Sequence, residues 1–319
     1  MHNNHFSTSR RDFIKTSAVL AAGSLLTNPA FAEQGAAPSM PASPICVFSK
    51  HLHWLNIADM ATAVAEMGYD GIDLTVRKGG HIEPGLAAKE LPGAVATIRK
   101  AGLEVPMIAT DIFDAADPLT TSILKTAGAL GIRFYRTGYL DFDRNDGVAA
   151  SLPRHRKTLT DLAVLNQRYG IHGAYQNHSG NKLGSSVWDL WEVLKDIDPR
   201  WLGVQYDIKH ATGEGGYSWV NGLDLVKNHA RCFDLKDFHW EKKDRWQHKL
   251  VPLGEGMVDF EQFFDLAKRY QLSGPMSIHF EYPLGGAETG KKQLSIAKED
   301  VFSAMERDLN TLKKMLSNV

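Results

Sequence analysis

The sequence has 319 residues, of which 43% are hydrophobic and 23% are charged, a composition typical of a globular protein with one large core. The formal net charge of −1 argues against nucleic acid or an anionic membrane as the main partner. The two cysteines, Cys46 and Cys232, fall in predicted strands. This excludes a disulfide framework and indicates buried free thiols.

Residues 1–32 have the pattern of a twin-arginine signal peptide. Arg10 and Arg11 precede a moderately apolar run over residues 17–26, and Ala30 and Ala32 supply small residues at the spacing of a cleavage site. The apolar run is too short to span a membrane. A disordered basic N-terminus is the alternative. We expect an exported protein, either periplasmic or secreted.

Residues 33–43 are small and rich in proline, which predicts a flexible linker before one domain over residues 44–319. In that domain short apolar runs alternate with longer amphipathic segments. The strand-like runs cover residues 45–49, 71–76, 103–109, 133–137, 171–176, 202–207, 232–236 and 276–281. The helix-like segments cover residues 57–67, 87–101, 119–130, 153–169, 187–197, 221–229, 260–270 and 295–316. Eight such units predict an α/β protein, a single-domain (β/α)8 TIM barrel.

An open doubly wound sheet is the alternative explanation of this alternation. Such a sheet rarely contains eight even units, and the Gly-x-Gly-x-x-Gly turn typical of it is missing after the first strand. The helix-like segments also end at Gly68, Gly102, Gly131 and Gly170, which are helix C-cap signals. The closed barrel is the better prediction.

In a (β/α)8 barrel the functional side chains lie at the carboxyl ends of the strands and in the loops after them. Polar residues collect at these ends, whereas the opposite ends show no such pattern. In chain order they include Lys50, His53, Arg77, His81, Arg136, Gln176, His178, Asp207, His210, Lys236, Asp237 and Glu281. This asymmetry predicts one active site at that mouth.

The sixth strand ends in a D-x-x-H pattern formed by Asp207 and His210. Taken alone, this pattern favours an aspartate that caps the following loop and an ordinary surface histidine. Inward-facing polar residues on the neighbouring strands favour a metal site over this interpretation. The predicted metal ligands are Gln176, Asp207, His210, Asp234 and Glu281. Oxygen-rich ligands with one imidazole favour Mn²⁺ or Mg²⁺, with Zn²⁺ or Co²⁺ as alternatives.

Strand alternation also predicts which neighbours share the barrel interior. Residues two apart on a strand share a face, so Gln205 faces inward if Asp207 does, and His279 faces inward if Glu281 does. The seventh strand offers either Asp234 with Lys236 or Leu235 with Asp237. The apolar Leu235 favours the first of these.

Five short stretches and the glutamate of the last strand carry a resemblance to a known family. They are GYDGIDL at residues 68–74, QNHSG at 176–180, YDIKHA at 206–211, DLKD at 234–237, PLGEGMVDF at 252–260, and Glu281. With them, residues 44–316 resemble the xylose-isomerase-like barrel superfamily of sugar epimerases, hydroxypyruvate isomerases, inosose dehydratases and apurinic endonucleases. The resemblance implies a barrel with a metal site.

Two positions depart from the family pattern, which has glutamate where this chain has Gln176 and histidine where it has Asp234. Sugar epimerases of this type remove and return a proton with two metal-bound glutamates, and an amide cannot exchange a proton at neutral pH. The resemblance therefore implies one-sided proton abstraction with Glu281 or a neighbour as the base. Candidates for the second group are Lys236, His81 and His178. A desolvated inward lysine would titrate nearer to neutrality.

The expected partner is a small, unphosphorylated sugar or keto-sugar. Substrate-binding candidates are Lys50, His53, Arg77, Arg136, His178, Asp237, Trp240 and Trp246. The two tryptophans lie in the long insertion over residues 238–251, which fits a lid over a sugar ring or a dimer contact. We expect no nucleic-acid partner and no stable membrane span, and a homo-oligomer is left open.

The predicted function is an exported, divalent-metal-dependent sugar isomerase or epimerase that abstracts a proton next to a carbonyl. One alternative is a lyase that uses the same site for elimination from a keto-sugar. Another is a carbohydrate-binding barrel without catalysis. An apurinic endonuclease is disfavoured by the lack of a basic face and by the exported address.

Overall fold

The computed structural model describes residues 43–318, so the predicted signal peptide and nearly all of the linker lie outside the described residues. The strands of this part of the chain are β1 (Ile45–Phe48), β2 (Gly71–Thr75), β3 (Glu104–Ala109), β4 (Phe134–Arg136), β5 (His172–Gln176), β6 (Leu202–Asp207), β7 (Ala230–Leu235), β8 (Asp237–Lys242), β9 (Trp246–Val251) and β10 (Met276–Ile278). Strands β1 to β7 and β10 close into a parallel barrel, with β10 between β7 and β1. The predicted single-domain (β/α)8 barrel is confirmed.

Helices surround this barrel. Within the described residues they are α1 (Ile57–Met67), α2 (Ala87–Lys100), α3 (Pro118–Ala129), α4 (Gly147–Tyr169), α5 (Val187–Leu194), α6 (Ile208–Gly215), α7 (Trp219–Val226), α8 (Phe260–Arg269) and α9 (Lys298–Ser317). Because helices cover the outer face, the barrel strands are buried on both faces. This explains why they read as continuous apolar runs in the sequence.

Glycine ends two helices as the sequence predicts. Gly68 follows α1 with a φ of 84°, and Gly170 follows α4 with a φ of 65°. A residue without Cβ adopts this left-handed conformation at little cost. These stops fix where β2 and β5 begin.

The strand register brings predicted site residues side by side. Gln176 of β5 lies opposite Gln205 of β6, and Asp207 of β6 lies opposite Asp234 of β7. Leu235 belongs to the large apolar core, whereas Asp234 lies among the buried polar residues of the barrel interior. The seventh strand therefore turns its aspartate inward, which is the favoured one of the two predicted orientations.

The long insertion after the seventh strand, predicted as a loop, has regular secondary structure. It is an antiparallel hairpin of β8 and β9, paired from Asp237 opposite Val251 to Lys242 opposite Trp246. Pairing satisfies the backbone groups that an extended surface loop would leave to water.

Two helices also differ from the prediction. Helix α6 directly follows β6, because Asp207 Oδ1 accepts the N–H of His210 at 3.1 Å and caps it. Helix α4 begins at Gly147 and not at the predicted residue 153, and it contains Pro153. The Ser151 hydroxyl donates to the carbonyl of Gly147 at 2.9 Å, inside the additional turns.

Cys46 and Cys232 are buried free thiols, as predicted.

None of the helices between residues 43 and 318 is long and apolar enough to cross a membrane.

Candidate active site

Four charged side chains, Lys50, Asp207, Lys236 and Glu281, meet at the carboxyl ends of the barrel strands and form what we call the rim group. Lys236 Nζ lies 3.1 Å from Asp207 Oδ2 and 3.1 Å from Glu281 Oε2. Lys50 Nζ lies 3.1 Å from Glu281 Oε1. The side chains of Asp207 and Lys236 are 0% and 2% exposed, whereas that of Glu281 is 26% exposed. Of these two carboxylates, Glu281 is the one that a ligand in the mouth can touch.

The ion pairs set the protonation of the rim group. Burial opposes ionisation of Glu281, but Lys236 and Lys50 outweigh burial and hold the pKa of Glu281 well below its usual value. Burial would lower the pKa of Lys236, but Asp207 and Glu281 outweigh burial and raise that pKa. Lys236 is therefore a cation at neutral pH. The prediction that it titrates nearer to neutrality is wrong, because it left out the two carboxylates.

The side-chain amide of Gln176 lies between two carboxylates on one side and two hydrogen-bond donors on the other. Its Nε2 donates to Asp207 Oδ2 at 3.0 Å and to Asp234 Oδ2 at 2.6 Å. Its Oε1 accepts from Arg136 Nη1 at 3.3 Å and from the hydroxyl of Tyr139. A guanidinium has donors only, so Arg136 fixes the orientation of the amide. The NH₂ group of Gln176 faces the carboxylates.

A second cluster, which we call the deep group, lies inside the barrel beneath the rim group. Asp73, Asp234 and His279 are all buried, and their ligand atoms lie within 4.8 Å of one another. His279 Nε2 lies 3.2 Å from Asp234 Oδ1. Burial, with the nearby charge of Asp234, raises the pKa of Asp73 to about 7, and burial raises the pKa of Asp234 to about 6. The deep group can therefore hold a proton near neutral pH.

Several of the predicted substrate-binding residues lie against one aromatic ring, that of Phe48. The Cζ atoms of Arg77 and Arg136 lie 5.5 and 5.7 Å from the ring centroid of Phe48, and Lys50 Nζ lies 5.7 Å from it. His279 stacks on the same ring, with centroids 4.5 Å apart. Arg77 is only half-buried, so its guanidinium can donate to an oxygen-rich ligand in the mouth.

The two histidines predicted beside the fifth and sixth strands pack against each other, with ring centroids 3.9 Å apart. His210 Nδ1 accepts the N–H of Ser179 at 3.2 Å, and His210 Nε2 lies 3.6 Å from Asp207 Oδ2. In the neutral ring the proton is therefore on Nε2, which faces the carboxylate. His178 Nδ1 donates to the carbonyl of Ser179 at 2.9 Å, which leaves a lone pair on Nε2. Burial lowers the pKa of both histidines.

His53 and His81 form a separate pair around Thr75. The Thr75 hydroxyl lies 2.9 Å from His53 Nε2 and 3.3 Å from His81 Nδ1. The two rings make an edge contact, with centroids 4.9 Å apart. Burial lowers the pKa of both to about 4, so both are neutral at pH 7. These contacts give His81 no part in the rim group and do not support its predicted catalytic role.

Asp237, a predicted substrate contact, organises a loop instead. Its two oxygens accept four backbone N–H groups, from Phe238 (2.8 Å), Gly254 (3.1 Å), Gly256 (2.8 Å) and Val258 (3.1 Å). Four bonds use the full acceptor capacity of a carboxylate. This geometry does not support the predicted substrate contact of Asp237, and it explains the PLGEGMVDF stretch as the loop that encloses this carboxylate.

Trp240 and Trp246 lie on the β8–β9 hairpin and are 42% and 61% exposed. The Trp240 ring packs on His248, with centroids 4.3 Å apart, and His248 Nδ1 lies 2.8 Å from Lys209 Nζ. This contact ties the hairpin to α6 at the mouth. Trp246 lies opposite Lys242 next to the hairpin turn. A lid over a sugar stays a prediction.

The predicted metal ligands lie close together, but several of them do not direct a free lone pair towards a common point. The NH₂ group of Gln176 and the Nε2 proton of His210 face Asp207, and Lys236 lies between Asp207 and Glu281. Because a metal needs a lone pair from each ligand, a divalent ion does not fit the rim group as it is arranged. The deep group has ligand atoms close enough for a cation, but Asp234 there also accepts hydrogen bonds from Gln176 Nε2 and from Gln205 Nε2, at 2.6 and 2.7 Å. Asp73 Oδ1 has no hydrogen-bond partner among the described residues.

Four residues of the site were not among the predicted ones: Asp73, Tyr139, Gln205 and His279. Strand alternation had placed Gln205 and His279 on the inward face, so a signal for both was present in the sequence. Asp73 lies two residues before Thr75 on β2, and the same rule could have found it. Tyr139 comes from the loop after β4, and strand periodicity says nothing about loops.

Comparisons with known proteins identify the family. Residues 7–27 match the twin-arginine translocation signal sequence. A curated relative, an uncharacterized protein of Methanocaldococcus jannaschii, is 25% identical over 170 residues, which cover 51% of this chain and 56% of that protein. The chain thus spans just over half the length of this relative.

Solved structures with the same fold include an epimerase and a magnesium-bound barrel protein. The 3-keto-D-glucoside 4-epimerase from E. coli has a TM-score of 0.60 and 14% identity, over 84% of this chain and 100% of that chain. A xylose isomerase-like TIM barrel protein from Mycobacterium smegmatis in complex with magnesium has a TM-score of 0.62 and 14% identity, over 85% and 99%. Residues 61–299, most of this chain, match the family described as xylose isomerase-like TIM barrel. The chain therefore belongs to the xylose isomerase-like TIM barrel family.

Proposed function

We propose that the protein is an enzyme of the sugar isomerase or epimerase type, which removes a proton next to the carbonyl of an unphosphorylated sugar or keto-sugar. The observation that carries the proposal is the position of Glu281. Its carboxylate is partly exposed to the mouth and lies between the ammonium groups of Lys50 and Lys236. Membership of a barrel family whose structural neighbours include a keto-glucoside epimerase supports sugar chemistry.

Glu281 is the base in this proposal. Its carboxylate takes the proton from the carbon next to the carbonyl, and the electron pair moves onto the carbonyl oxygen. Lys50 and Lys236 make the resting carboxylate a weak base. A substrate oxygen that draws one ammonium group away therefore strengthens the base. The same ammonium group then stabilises the negative charge that develops on that oxygen.

His178 is the group we assign to the second proton transfer, between the two oxygens of the enediol. Its Nδ1–H is held by the Ser179 carbonyl, so its Nε2 lone pair is free to accept a proton. Its lowered pKa keeps the ring neutral at pH 7. Lys236 is held as a cation and His81 is paired with His53 and Thr75, so neither matches this role as well.

Of the two carboxylates of the rim group only Glu281 is exposed. This favours isomerisation over a symmetric epimerisation, because Gln176 stands where a second base would be needed. Elimination from a keto-sugar is the second candidate function, since it begins with the same one-sided proton abstraction. It differs only in that the enolate expels a group from the next carbon.

The proposed location is the periplasm or the exterior, on the strength of the twin-arginine match. A free sugar suits this location. The expected divalent ion, Mn²⁺ or Mg²⁺ before Zn²⁺ or Co²⁺, stays a prediction, and the deep group is the cluster that offers ligands for it.

Hydrogen–deuterium exchange tests the proposed function. The mature protein is incubated in D₂O with a panel of ketoses and keto-glycosides, and NMR follows the hydrogen next to the carbonyl. We expect exchange with at least one sugar, and a loss of about 10³-fold in Glu281→Gln, within the usual range for a general base. Glu104→Gln changes an exposed glutamate at the start of β3 and should keep the wild-type rate.

Two results would count against the proposal. Full exchange by Glu281→Gln would remove Glu281 as the base. The lack of exchange with every sugar, together with measurable sugar binding, would favour the non-catalytic carbohydrate-binding barrel.

A further inference from the structure

The rim group already contains a cation between its two carboxylates. Lys236 Nζ lies 3.1 Å from an oxygen of Asp207 and 3.1 Å from an oxygen of Glu281, and its side chain is 2% exposed. These carboxylates come from the ends of two strands, β6 and β10, on either side of β7. A free ion that bridged them would have to displace an ammonium group that is covalently attached to the barrel.

Gln176 adds a second obstacle to a metal at the rim. Its NH₂ group donates to Asp207 and Asp234, so the amide presents protons towards the centre of the site. Rotating the amide would turn this NH₂ group towards Arg136, which has no acceptor. The orientation that supplies a lone pair to an ion is therefore blocked by a buried neighbour.

The charges of the rim group are also balanced without an ion. The carboxylates of Asp207 and Glu281 face the ammonium groups of Lys236 and Lys50. A divalent ion added between them would leave two positive charges in excess, one of them the buried ammonium group of Lys236, and an unpaired buried charge is costly.

From these three observations we propose that the Lys236 ammonium takes the place of a divalent cation at Asp207 and Glu281, so that the rim group binds no metal. Lys236 then supplies the positive charge that these two carboxylates would otherwise receive from an ion. The inference rests on the geometry of the rim group and not on the sugar reaction. Metal content is measured without substrate, so this inference and the proposed function can fail separately.

Metal analysis of the purified mature chain is the first test. The protein is produced with added Mg²⁺, Mn²⁺, Co²⁺ and Zn²⁺, exchanged into metal-free buffer, and measured by mass spectrometry as wild type, Asp207→Asn and Asp73→Asn. We expect Asp207→Asn to have the same metal content as the wild type. A metal that is lost in Asp207→Asn would overturn the proposal. A metal that is lost only in Asp73→Asn assigns the ion to the deep group and supports it.

A gain of metal binding is the second test. The double variant Gln176→Glu with Lys236→Met removes the ammonium group and supplies a carboxylate ligand. We expect it to bind Mn²⁺ at least tenfold more tightly than the wild type by titration calorimetry, with a matching rise in melting temperature. Lys236→Met alone is the control. Equally tight binding by wild type and double variant would contradict the proposal, and if the double variant does not fold, the metal content of the wild type still decides.

Discussion

Lys236 shows how one residue's protonation depends on partners from distant parts of the chain. Its ammonium group is almost fully buried, which by itself favours the neutral amine. The carboxylates of Asp207 and Glu281 reverse this preference because each lies 3.1 Å away. The same residue would be a candidate base without these partners and is a fixed cation with them.

Removing this cation should be costly for stability. In Lys236→Met, Asp207 keeps its burial but loses its counter-ion, and breaking one side of a buried pair costs about 3 kcal/mol or more. Urea unfolding of the variant against the wild type measures the loss. Lys195→Met removes a lysine from a pair with Glu192 on the protein surface and should change stability by less than about 0.5 kcal/mol. Equal losses in the two variants would show that the pairs at Lys236 do not stabilise the fold.

At the scale of elements, the loop between β9 and α8 is built around the carboxylate of Asp237. Gly256 must lack a side chain, because a Cβ at this position would lie 2.0 Å from Asp237 Oδ1 and 2.6 Å from the carbonyl of Phe238. Asp259 then caps α8 by accepting the N–H of Gln262 at 2.9 Å. The glycine pattern is thus a requirement of loop closure and not of substrate contact.

Gly256→Ala tests this explanation. The added methyl group must push the loop away from Asp237, so we expect a loss of about 2 kcal/mol or more in unfolding free energy. Gly93→Ala is the matched control, because Gly93 lies inside α2 with nothing within 4 Å of its added Cβ. Alanine there should stabilise the helix by up to about 1 kcal/mol. A Gly256→Ala protein as stable as the wild type would show that the loop around Asp237 does not require glycine at this position.

At the scale of the whole molecule, the last helix is fastened to the end of the barrel by a buried carboxyl group. Asp308 of α9 accepts a hydrogen bond from the Tyr282 hydroxyl at 2.8 Å, just after β10. Burial raises the pKa of Asp308 from 3.8 to about 6, against the opposing effects of Tyr282 and Arg307. The folded protein therefore holds a proton at Asp308 that the unfolded chain releases near pH 4.

This difference predicts a pH-dependent stability. A raised folded-state pKa contributes stability that is present below about pH 4 and lost as the pH rises through about 6. Asp308→Asn removes this loss, so its stability relative to wild type should rise by up to about 3 kcal/mol between pH 4 and pH 7. Urea unfolding at several pH values measures it. A stability difference that stays constant across this range would contradict the assignment.

A control on the same helix separates the effect of burial from the loss of a charge. Glu306 is exposed on α9, and Glu306→Gln should change stability at pH 7 by no more than about 0.5 kcal/mol. A larger effect there would show that charge on α9, and not burial of Asp308, determines its stability.

Much of the barrel could be predicted because its signals are local. Apolar runs, glycine stops such as Gly68 and Gly170, and the even spacing of units act within a few residues of chain. Helix α6 and the β8–β9 hairpin could not be found in this way. The first depends on a cap supplied by Asp207, and the second on pairing between residues of mixed polarity.

The sequence by itself therefore determined the closed barrel, the mouth that carries the polar residues, and the inward direction of Asp207, Asp234 and Glu281. Only the tertiary structure decided what these groups do to one another. The reason is physical, since ion pairing and amide orientation depend on distances of about 3 Å between residues far apart in the chain. In the folded protein the ammonium group of Lys236 lies where a metal ion was expected, and Asp237 binds the backbone of a loop.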